Sequence, residues 1–88
     1  MDENQILTKV IRIISDFTDV KVRDIRENSL IVSELGITSF DMVSLVVSFE
    51  EEFDLEIDNF SSLNKINTVG ELVWFVSQEI ERNKHKEI

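Results

Sequence analysis

The sequence contains no cysteine, no proline and only two glycines, Gly36 and Gly70, among its 88 residues. Without cysteine there is no disulfide framework and no protein thiol for nucleophilic or metal chemistry. Without proline, and with so little glycine, few positions interrupt a helix. The single histidine, His85, has no neighbour that would make it a base or a ligand, and it is expected to face solvent. Nucleophilic triads and ordinary zinc sites are therefore excluded. A glycine-rich phosphate loop is also missing. No apolar run approaches the length of a membrane span, and Met1-Asp2-Glu3-Asn4 lacks the basic start and apolar run of a secretory signal. A cytoplasmic protein without membrane insertion is expected.

Positive charge is the next shortage. The net charge is −9, and between Glu27 and Asn64 there are nine acidic residues and no lysine or arginine. Such a field repels a phosphate backbone, so nucleic-acid binding is excluded, and it favours basic protein partners or simply keeps the surface solvated. The acidic run Glu50-Glu51-Glu52-Phe53-Asp54 lacks the alternating oxygen ligands and the glycine of a calcium loop, so no metal site is expected.

What is present is helical periodicity. Hydrophobic residues make up 42% and charged residues 31%, a globular balance, and a chain of this size forms one domain that buries roughly 60% of its unfolded surface. Ile6, Val10, Ile13, Ile14 and Phe17 recur at spacings of three and four, predicting a first helix over about 4–17 with Asn4 as cap. A long connection follows from Thr18 to Thr38; a structureless stretch of that length must be packed down by its apolar residues or serve function. A second helix is predicted over 39–53, capped by Thr38 or Ser39, with Asp41 at the positive end of its dipole. A weak short helix over 59–64 turns Phe60 and Leu63 inward. A last helix runs over about 69–82, opened by a Thr68/Glu71 capping box, with Val69, Leu72, Val73, Val76 and Ile80 facing in. These elements make an all-α fold, a small four-helix bundle of three main helices and one short one. The domain is assigned to residues 1–82, with 83–88 as a polar tail.

The second helix has two apolar faces. At 100° per residue, Met42, Leu45, Val46, Phe49 and Phe53 form a core stripe, while Phe40, Val43 and Val47 fall near the opposite side with Ser44 and Glu51 beside them. Exposed hydrophobics are common on any surface, and the long connection could cover these three. The alternative is a docking face, an apolar centre rimmed by acid, beginning one residue from Ser39. In local chemistry alone, Ser39 is most often a helix cap.

The wider pattern changes that reading. Leu35-Gly36-Ile37-Thr38-Ser39-Phe40-Asp41-Met42-Val43, a helix ending in EEEFDLEI (residues 50–57) and a last helix opened by TVGELV (residues 68–73) together resemble the acyl carrier proteins over nearly the whole chain. The resemblance implies a non-enzymatic carrier with no catalytic residue. Ser39 would bear 4′-phosphopantetheine, moved from coenzyme A by a magnesium-dependent phosphopantetheinyl transferase. Acyl intermediates would then be held as thioesters on that arm for a fatty-acid-like, polyketide or other specialised pathway. Aminoacyl, peptidyl or D-alanyl cargo, or an unmodified adaptor with Ser39 as a plain cap, are the alternatives. Phe40, Asp41, Val43, Val47 and Glu51 are the expected contacts to loading and processing enzymes with basic docking patches, and the carrier is expected to be monomeric. The absent cysteine agrees, since the thiol must come from outside. The chain departs from the family where Thr38 replaces the usual aspartate before the serine and Phe40 the usual leucine after it. Ser44 likewise stands at a position where acid is usual. These positions point to a dedicated pathway rather than general fatty-acid synthesis.

Overall fold

The computed structural model describes residues 1–58 and 60–86, with side chains as far as residue 84. Its three long helices are α1 (Glu3–Ser15), α2 (Ser39–Phe53) and α3 (Val69–Lys86). A 3-10 turn at Val22–Asp24 lies in the first connection, and a short 3-10 helix, Phe60–Lys65, lies in the second. The all-α bundle expected from periodicity is the observed fold. α1 packs against both α2 and α3, more extensively against α3.

Local chemistry sets the boundaries. Asp2, not Asn4, caps α1, because only Asp2 has a glutamine three residues on. The Gln5 N–H donates to Asp2 Oδ1 and the Asp2 N–H to Gln5 Oε1, both at 2.9 Å. The helix closes two residues before Phe17 through tighter bonds, with the Asp16 and Phe17 N–H groups donating to the Ile13 and Ile14 carbonyls. α2 has the predicted bounds. The short helix is 3-10 rather than α, and Phe60, expected inside, is 48% exposed. Its partner Leu63 does pack against the core. The predicted first residue, Asn59, lies outside the described residues, as does the side chain of His85. α3 runs past the expected end at Arg82 to Lys86, helped by the Arg82 ion pair back to Glu79 at 2.7 Å.

The core is one continuous cluster. Val10 and Ile14 of α1, Leu45, Val46 and Phe49 of α2, and Val69, Leu72 and Val76 of α3 are fully buried. The long first connection is pinned down in two ways. Ile25, Ile31, Leu35 and Ile37 are buried in the core. Its backbone is also stitched to the start of α3: the Ile31 N–H donates to the Asn67 carbonyl at 2.9 Å, the Val69 N–H to the Ser29 carbonyl at 3.1 Å, and the Gly70 N–H to the Glu27 carbonyl at 2.8 Å. The last approach is tight, since a Cβ at residue 70 would sit 3.2 Å from that same carbonyl oxygen and push it back by a few tenths of an ångström.

Candidate functional site

The start of α2 is built by three residues in succession. Gly36 takes φ +70°, the left-handed region that other side chains avoid, and so turns the chain into the helix. Ile37 is fully buried and Met42 nearly so, in the positions of a hydrophobic staple around the cap. Thr38 is the cap. Its hydroxyl accepts from the Asp41 N–H, and Asp41 Oδ2 accepts from the Thr38 N–H, each at 3.1 Å. The chain thus keeps a complete capping box with threonine at its head.

Ser39 is left as the first helical residue, exposed, with capping assigned to its neighbour. Among the described residues, no hydrogen bond engages its hydroxyl, and the N–H groups of Ser39 and Phe40 have no intrachain acceptor. A free hydroxyl beside free N–H donors at the positive end of a helix dipole suits a phosphodiester. The serine stands exposed at an open helix end.

The expected docking residues lie together. Phe40 is 82% exposed, Val43 53% and Val47 48%, and Asp41 and Glu51 flank them. The first connection does not cover this face, whereas Met42, Leu45, Val46 and Phe49 are buried on the other side of the same helix. Phe53, expected in the core stripe, is half-buried and rests on Phe49 with ring centroids 6.4 Å apart.

The acids of α2 differ in their commitments. Glu50 accepts from the Ile57 N–H at 2.9 Å, closing the loop after the helix. Glu52 pairs with Lys9 of α1 at 2.8 Å, which holds its carboxyl below the usual range. The acidic run is therefore not one uniform field, because a cation from α1 neutralises part of it, a pairing that no local sequence signal marks. Among the described residues, no group of three or more acidic or metal-ligating side chains is placed to hold a metal ion.

A groove of about 630 Å³ runs between the short 3-10 helix and α3, with Ile66, Trp74 and Phe75 as its apolar wall and Lys65 at its edge. None of its lining residues belongs to α2.

The fold and the site together define a small acidic helical bundle that presents an unengaged serine at the head of its middle helix. The family described as the phosphopantetheine attachment site matches residues 8–76. Acyl carrier protein of Thermotoga maritima is 36% identical over 76 residues, spanning 86% of this chain and 93% of that protein. Acyl carrier protein of Cyanidioschyzon merolae is 41% identical over 78 residues, 89% and 85% of the two chains. The structure of acyl carrier protein from Enterococcus faecalis superposes with a TM-score of 0.71 at 29% identity, covering 90% of this chain and 99% of that one. The chain belongs to the acyl carrier protein family. It is a carrier whose cofactor is covalently attached 4′-phosphopantetheine. Family members work with a phosphopantetheinyl transferase and with the enzymes that use their cargo. No helix among the described residues is long and apolar enough to cross a membrane.

Proposed function

We propose that Ser39 is the residue that bears the 4′-phosphopantetheine arm and that the chain delivers acyl intermediates, as thioesters on that arm, within a specialised biosynthetic pathway. The observation that carries the assignment is the unengaged, exposed Ser39 hydroxyl one residue inside the α2 cap. When bound, the arm supplies the thiol that the chain lacks. Ser39 anchors it, the α2 dipole favours its phosphodiester by about 0.3–1 kcal/mol, and Phe40, Val43 and Val47, flanked by Asp41 and Glu51, meet the enzymes that load and process it. The carrier unit is built on residues 1–82 and acts as a cytoplasmic monomer. Thr38 in place of the family's acid, and the apolar Phe40 and Val47, favour a dedicated partner set over general fatty-acid synthesis.

The test is intact mass. The chain is incubated with coenzyme A, magnesium and a broad-specificity phosphopantetheinyl transferase. A gain of one phosphopantetheinyl group that disappears in Ser39→Ala supports the reading. An unmodified chain with several transferases overturns it and leaves an adaptor with Ser39 as a plain helix residue.

A further inference from the structure

The groove between the short 3-10 helix and α3 has no part in carrying cargo on Ser39. Its volume, about 630 Å³, is that of a small-molecule site. Two of its three apolar wall residues are aromatic. Phe75 is 5% exposed, whereas Trp74 is 60% exposed and leaves much of its indole uncovered. The charges of the lining differ in their commitments. Glu71 accepts from the Asn67 and Thr68 N–H groups, and Glu79 accepts from Arg82 at 2.7 Å. Lys65 is the one cation of the lining and, among the described residues, forms no ion pair. This part of the chain also lacks the acidic excess of the rest. Between Lys65 and Lys86 four basic residues stand against three acidic ones.

We propose that this groove binds a small, free aromatic carboxylate, with its ring against Trp74 and Phe75 and its carboxylate on Lys65. The class follows from the lining. Two aromatic side chains favour a flat ring in offset or edge-to-face contact. A flexible alkyl chain would lose more rotational freedom for the same contact. The sign of the head group follows from the one uncommitted charge. A cationic ligand would meet Lys65 and would have to compete for Glu71 and Glu79 with donors they already hold. The 3-10 helix buries no residue of its own, so an occupant that bridges it to α3 also steadies it. α2 contributes nothing to the lining, and the site therefore stands whether or not Ser39 is modified.

The experiment titrates the full, unmodified chain with β-naphthoate and follows its backbone amides by NMR. Saturable shifts confined to residues 62–66 and 71–79 are expected. The Kd should be about 1 mM or below, the affinity that ordinary ligand efficiency gives a molecule of this size. The neutral amide of the same ring should bind about fivefold more weakly at low salt, the weight of one exposed charge pair. Lys65→Gln should abolish that difference, and Trp74→Ala should weaken both ligands about tenfold. Circular dichroism confirms that each variant is folded, and the comparison of acid with amide on the unaltered chain needs no variant. Tighter binding of the corresponding naphthylmethylamine overturns the proposal, because the carboxylates would then rule the groove. Shifts spread through the core of α1 and α2 overturn it in favour of partition into the interior. Shifts at residues 71–79 that grow with protein concentration alone overturn it in favour of a second copy as occupant. The absence of any saturable shift overturns it outright. None of these outcomes bears on Ser39, whose modification is read separately by intact mass.

Discussion

Asn83 and Glu56 exchange two hydrogen bonds across 27 residues of chain. The Glu56 N–H donates to Asn83 Oδ1 at 3.1 Å, and Asn83 Nδ2 donates to the Glu56 carbonyl at 3.0 Å. Arg82 Nη2 donates to the same carbonyl at 2.9 Å and to the buried Glu79 at 2.7 Å. The end of α3 therefore clamps the loop that leaves α2. Asn83→Ala should cost about 1 kcal/mol in urea unfolding and speed amide exchange at Glu56. Arg82→Met should cost more, because it leaves the Glu79 carboxylate buried without its cation. The reverse order of the two costs would remove the clamp from the account.

The turn into α2 depends on the backbone freedom of one glycine. Gly36→Ala places a Cβ in the left-handed region and should destabilise by about 1 kcal/mol, although nothing lies within 4 Å of the new atom. Gly36→Asn should lose less, since asparagine tolerates that conformation. Equal losses in thermal unfolding would point to packing instead of backbone.

At the other end of α2, Asp54 takes φ 54°, and its carboxylate sits at the negative end of the helix dipole. Both features are unfavourable. Asp54→Gly should stabilise the chain by about 0.5–1 kcal/mol, read as a raised midpoint in urea. A lowered midpoint would mean that the aspartate makes a contact worth more than its strain.

Acid should unfold the protein partly through two carboxylates. The N–H groups of Asn67 and Thr68 hold Glu71 below its usual range, and the hydrogen bond from Lys9 does the same for Glu52. A depressed folded-state value means that the unfolded chain binds protons first as pH drops. Their stabilisation is present above the ordinary value of 4.5 and is lost as pH falls below it through the lower folded-state values. Melting temperature should fall over that window, and Glu71→Gln, which can still cap α3, should flatten the fall. An unchanged slope in that variant would show that other carboxylates carry the transition.

Thr38 offers a test of the cap apart from the cargo. Thr38→Ala removes the hydroxyl that accepts from the Asp41 N–H, leaving only the backbone bond to Asp41 Oδ2, and should cost about 1 kcal/mol, whereas Thr38→Asp keeps a side-chain acceptor and should hold the thermal midpoint within about 0.5 kcal/mol of the native chain. A matching loss in both would mean that the hydroxyl does something an aspartate cannot.

The helices and the two faces of α2 were legible because their signals are periodic and local. The bounds of α2 follow from Thr38, Asp41 and the stripe from Met42 to Phe49, all within one stretch of chain. The inside of the first connection was harder. Ile37 is fully buried, yet it stands alone between Gly36 and Thr38, where no period marks it. Phe60 was read inward from hydrophobicity, but a 3-10 helix has three residues per turn, and its faces differ from those of the α-helix assumed there. The Lys9–Glu52 pair and the Asn83–Glu56 clamp join residues far apart in sequence, and only the packing of α1 and α3 brings them together. Ser39 was legible as a pattern. That Thr38 takes over the capping and leaves the Ser39 hydroxyl free shows only in the folded geometry.

Trp74 is the sole indole of the chain, 60% exposed on the wall of the groove beside the short 3-10 helix. It gives the protein a built-in optical label. Filling the groove, or loosening the 3-10 helix that forms its other bank, shifts the emission of one chromophore with no tyrosine to blur it. Because α2 contributes nothing to that groove, the same fluorescence trace reports on the 3-10 side of the bundle separately from events at the serine-bearing helix.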